Sequence, residues 1–127
     1  MSCFWTTLLN KIKKEDIHEI LGLYNPTLND FVDALKSKNC KTENVLWNME
    51  ELNNQAKEEN IKHIKEYDTH TISNGYLCST CDPFLLLITE LFHIEIIHHY
   101  TKSIITYQNN ISNNYTIKIH NNQGHMW

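Results

Sequence analysis

The sequence predicts an α+β domain, with N-terminal helices packed on a small antiparallel C-terminal sheet. Three observations carry that expectation. Apolar residues recur at helical spacing over Phe4, Trp5, Leu8, Leu9 and Ile12, and again over Leu28, Phe31, Val32 and Leu35. Asp82-Pro83 opens a segment, Phe84 to Phe92, that is apolar except for Thr89 and Glu90. The last third then alternates, with Tyr115, Ile117 and Ile119 set against Thr116, Lys118 and His120.

Each element has its own reason. Ser2 is an N-cap candidate for the first helix, which ends at Lys13-Lys14. A short helix follows from Asp16 to Leu21 and stops near Gly22 and Pro26. Thr27 and Asp30 resemble a capping box for the Leu28 to Leu35 helix. Thr42 is read as the cap of a further helix with Val45, Leu46, Met49 and Leu52 inward. From Asn53 to His70 the pattern weakens, consistent with an exposed helix or a mobile excursion. Asn74-Gly75 marks a turn. Asp82 at N-cap and Pro83 at N1 start a central, buried helix. Strands are expected over His93 to Tyr100, Ile104 to Tyr107 and Tyr115 to Ile119, with a polar hairpin loop from Gln108 to Asn114. A last strand carries His125.

Length and charge narrow the functional classes. One domain of 127 residues buries a core without needing disulfides or metals. The net charge of −4 and scattered basic residues give no face for nucleic acid. The longest apolar run, Phe84 to Ile88, is too short to span a bilayer. No basic segment precedes a long apolar one, so a cytoplasmic setting is expected, with Cys3, Cys40, Cys78 and Cys81 reduced.

Cys3 and His125 are the sharpest chemical candidates. A thiol at a helix start is activated by the unpaired N–H groups there, and a neighbouring imidazole completes a thiolate–imidazolium pair. The ordinary alternatives are a small buried cysteine and a histidine in a terminal tail. Cys78 and Cys81 form a C-x-x-C pair, which suits zinc only if His93, His98, His99 or Cys40 completes four ligands. His98 and His99 neighbour each other on a strand, so at most one faces a shared site.

Cys-Phe-Trp opening a helix resembles the Cys-aromatic motif of OTU-type and viral papain-like cysteine proteases. The segment Cys81 to Ile97 resembles the OTU pattern of polar turn, apolar helix and Ile-rich strand. Gly124-His125-Met126-Trp127 resembles the closing His-aromatic motif of the same families, with a nidovirus-like cast overall. The resemblance implies acyl transfer, in which Cys3 attacks a carbonyl and His125 protonates the leaving amine. It implies no cofactor. It implies a Gly-ended tail of ubiquitin or a ubiquitin-like modifier, or a viral polyprotein junction, as substrate, met in the host cytoplasm. Asn121 or Asn122 would orient the imidazole. Trp5, Tyr76, Gly124 and Trp127 would line the substrate channel. OTU proteases carry Asp three residues before the nucleophile, where this chain has only Met1 and Ser2. Where they often place Asn or Asp two residues after the histidine, this chain has Trp127.

Two rivals stand beside this reading. One is a zinc-stabilised interaction module built on Cys78 and Cys81. The other is a helical–β binding protein without chemistry.

Overall fold

A computed structural model describes residues 3–122 and 125–127. Three helices come first: α1 (Cys3–Lys11), α2 (Lys14–Leu21) and α3 (Leu28–Ser37). Two short strands follow, β1 (Val45–Trp47) and β2 (Glu50–Glu51). Helix α4 (Asn54–Glu66), a 3-10 turn (Thr69–Asn74) and helix α5 (Pro83–Phe92) precede β3 (Glu95–Tyr100), β4 (Ser103–Asn109), β5 (Thr116–Asn122) and β6 (His125–Met126). The α+β class is therefore observed.

The caps match the local chemistry. Thr27 Oγ1 accepts from the Asp30 N–H, and the Asp30 carboxylate accepts from the Thr27 N–H, closing the capping box. Asn53 caps α4 through the Ala56 N–H. Asp82 caps α5 through the N–H groups of Phe84 and Leu85. Gly22 ends α2 in the left-handed region, at φ 71°, where a Cβ is unfavourable. Ser2, the expected cap of α1, lies outside the described residues.

Two expectations are corrected. The helix predicted after Thr42 is a hairpin. Asn48 and Met49 both have positive φ, as a two-residue turn between paired strands requires. Val45 and Trp47 pair with Asn109 and Tyr107 of β4, so long-range pairing overrides the local helical spacing. The Asn48 side chain and backbone both bond Thr106, fixing the turn to β4.

The sheet is also mixed, not antiparallel. Its order is β2-β1-β4-β3-β5-β6, and β3 runs parallel to β5. Parallel neighbours usually need a long crossover. Here β4 has already returned the chain to the starting end of β3, so residues 110–115 need only step past that end. The Glu95 N–H bonds the Tyr115 carbonyl, and the Asn114 N–H bonds the His93 carbonyl, along that path. Asn109 folds the loop through side-chain bonds to Ile111 and Ser112.

The core lies between one face of the sheet and the helices. Residues Pro83 to Thr89 and Phe92 of α5 are buried. Facing them across the sheet are Val45, Ile96, Ile105, Tyr107, Ile117 and Ile119. Each such apolar side chain contributes about 1.5–3 kcal/mol on burial. The opposite face of the sheet is left open, with Ile104, Thr116, Lys118, His125 and Trp127 exposed on it.

Candidate functional site

Strand parity decides where each candidate side chain points. Met126 is buried and pairs with Asn121, while His125 is exposed and pairs with Asn122. Alternation therefore sends Met126 and Asn121 toward the helices, and His125 and Asn122 to the open face. Helix α1 packs against β6, which brings the start of α1 to the strand that carries His125.

Cys3 is half-buried at the first turn of α1. It opens on a cavity of about 400 Å³ that is also walled by Tyr76, Cys78, Asn121 and Met126. His125 is not part of that wall. Its ring stacks on Trp127 at 5.3 Å, on the other face of the sheet. The fold thus gathers the two chain ends, but the imidazole is turned away from the thiol. The expected dyad is not assembled in this conformation. Asn121 Nδ2 donates to the His125 carbonyl at 3.2 Å, not to its ring, and Asn122 is exposed beside it. Neither makes the predicted orienting contact.

The expected channel residues divide. Trp5 is fully buried within an aromatic cluster, 4.7 Å from Phe84 and 4.8 Å from Phe4, and its indole N–H bonds Tyr67. It belongs to the core, not to a channel. Tyr76 does wall the cavity, with its hydroxyl committed to Asp82. Trp127 lies on the open face, away from the cavity. Gly124 lies outside the described residues.

Behind the cavity is a polar network that the sequence hid. Asp82 is fully buried. Its carboxylate accepts from the Tyr76 hydroxyl at 2.8 Å and from the N–H groups of Ser79, Phe84 and Leu85. Burial pushes its pKa up, and those four donors pull it back down. The only advance signal was Asp82-Pro83 as a helix start, which explains two of the four donors.

The C-x-x-C thiols lie in this network's field. Burial, then the Asp82 charge, raises both, Cys78 strongly and Cys81 to about 11. Both are protonated at neutral pH and are poor nucleophiles. His93 bonds Ser112, His98 faces the core and His99 the open face, so the expected partners are scattered. Among the described residues, no three His, Cys, Asp or Glu side chains are grouped to hold a metal ion.

One cluster escaped sequence reading altogether. On the open face His99 stacks on His120, 4.6 Å between centroids and 17° between planes. His120 stacks on Trp127 at 5.4 Å and 10°. His99, His120, His125 and Trp127 share the open face through strand register, which the sequence does not show. Compared with models of known families, with curated proteins and with solved structures, the chain matches none.

Proposed function

We propose that this chain is a cysteine-dependent hydrolase working by acyl transfer, with Cys3 as nucleophile and His125 as proton donor. The observation that carries the reading is the packing of α1 against β6, with the Cys3 thiol opening on a cavity at that junction. The thiol is half-buried at a helix start, where unpaired N–H groups offer donors to an oxyanion. The reading requires the His125 ring to leave Trp127 and swing round β6. Because β6 is the edge strand, that swing crosses no neighbouring strand. The sequence resemblance supports a Gly-ended tail of ubiquitin, a ubiquitin-like modifier or a viral polyprotein as the acyl donor.

Incubation with a ubiquitin tail bearing a C-terminal electrophile tests this. Covalent capture at Cys3 is expected, abolished in Cys3→Ala and slowed at least a hundredfold in His125→Ala. Capture that ignores His125, or no capture at all by the folded protein, overturns the proposal. A binding module without chemistry is then the better reading, favoured by the ring of His125 lying on the open face.

A further inference from the structure

We propose that β6 is a latch on the Cys3 cavity, held shut by the stacking of Trp127 on His120 at the far face of the sheet. The latch stands whether or not Cys3 is a nucleophile. Where Cys3 and His125 act together, an extension that rests on the reading above, the same motion also frees the His125 ring.

The two faces of β6 hold different things. Met126 points inward, is buried, and walls the cavity beside Cys3, Phe4 and Asn121. Trp127 lies exposed on the opposite face. Its ring stacks on His120 at 5.4 Å and on His125 at 5.3 Å. One short strand thus carries the cavity wall on one side of the sheet and its fastening on the other.

Strand β6 is also the part of the sheet most easily released. Among the described residues it pairs with β5 alone, at the edge of the sheet. His120 and Trp127 exchange both backbone bonds, at 2.9 and 3.0 Å, so the pairing is anchored at the Trp127 end. Asn121 Nδ2 adds one bond, to the His125 carbonyl. So short a pairing opens at a small fraction of the cost of global unfolding. The rest of the sheet survives that opening, because β5 stays paired with β3 from Thr116 to Asn121.

The ring stack sets how often the latch opens. His99 backs His120 at 4.6 Å, so the His120 ring cannot recede from Trp127. Stacked rings at such separations attract beyond the area they bury, so losing the Trp127 ring should raise the open fraction about threefold to tenfold. Peeling β6 away removes Met126 from the cavity wall. Helix α1 packs against β6, so the start of α1, with Cys3, loses cover in the same step.

Alkylation of Cys3 in the full chain, followed by peptide mass mapping at pH 7.5, tests this. A small reagent, iodoacetamide, is compared with a bulky one, pyrenyl maleimide. Neither takes a proton from His125, so the rates report access alone, whereas capture by an electrophilic ubiquitin tail tests the nucleophile separately. Trp127→Ala and His120→Ala should each speed Cys3 modification at least about threefold, and more with the bulky reagent. Cys78 should stay protected and circular dichroism unchanged. Trp127→Phe keeps a ring and should stay near the parent rate. The proposal is overturned if Trp127→Ala and His120→Ala leave the Cys3 rates at the parent's value, or if Trp127→Phe is as fast as Trp127→Ala. It is equally overturned if Cys78 becomes reactive in step with Cys3, because the whole domain has then loosened.

Discussion

The Tyr107 hydroxyl accepts from the Asp82 N–H at 2.9 Å and donates to the Thr80 carbonyl at 3.1 Å. One side chain from the centre of the sheet thereby fixes both the loop that carries Cys78 and Cys81 and the start of α5. Tyr107 is itself fully buried. Thr80 retains a second donor, the Trp47 indole N–H at 2.9 Å, but the Asp82 N–H has no replacement. Tyr107→Phe should therefore cost about 1–3 kcal/mol, the usual penalty of one orphaned buried donor. Urea unfolding of the two proteins measures it. A change below about 0.5 kcal/mol would show that the hydroxyl does not hold the loop.

His98 predicts how stability responds to acid. It is fully buried, and among the described residues neither ring nitrogen has a hydrogen-bond partner. Burial, reinforced by His99, pulls its pKa down to about 4. An unfolded histidine titrates near 6.5. The unfolded chain therefore binds more protons between those values. The contribution is fully present above pH 6.5, is lost as pH falls from 6.5 toward 4, and is constant below that. Between pH 7.5 and pH 5 the loss at this site is about 2 kcal/mol. His98→Leu should unfold with a shallower pH dependence over that interval. Parallel curves for parent and variant would contradict the assignment.

The four thiols should react in a fixed order. Cys3 is half-buried and borders the cavity, whereas Cys81 is pushed up to about 11 and Cys78 higher still. Burial also raises Cys40, with help from Glu90. With iodoacetamide at pH 7.5, Cys3 should be alkylated first and Cys78 only as the protein unfolds. Peptide mass mapping over time gives the order. Early modification of Cys78 would count against the buried network around Asp82.

Gly22 tests the cap of α2. It has φ 71° and nothing near the position a Cβ would take. Any cost in Gly22→Ala then comes from the backbone alone. About 1 kcal/mol of destabilisation is expected, with no change in the fold. Thermal unfolding reports it; an unaltered midpoint would mean that the turn relaxes without cost.

Much of the fold was legible because its signals are local. Thr27 and Asp30, Asp82 and Pro83, and the apolar stripe of α3 each act within a few residues. The hairpin at Asn48 was not legible, since only pairing with β4 selects strand over helix for Val45 to Trp47. The role of Trp5 is left open by the sequence for a related reason. An aromatic at helical spacing reads alike in a core or a channel until its neighbours Phe4, Phe31, Tyr67 and Phe84 are gathered.

By itself the sequence determined the α+β class, the Thr27 and Asp82 caps, the buried α5 and the candidacy of Cys3 and His125. Tertiary structure alone decided which way the rings point. In a strand, side-chain direction depends on parity, and parity acquires meaning only when one face is covered by helices. That covering turned Met126 inward beside the Cys3 cavity, turned His125 outward against Trp127, and brought His99 to His120 from positions 21 residues apart.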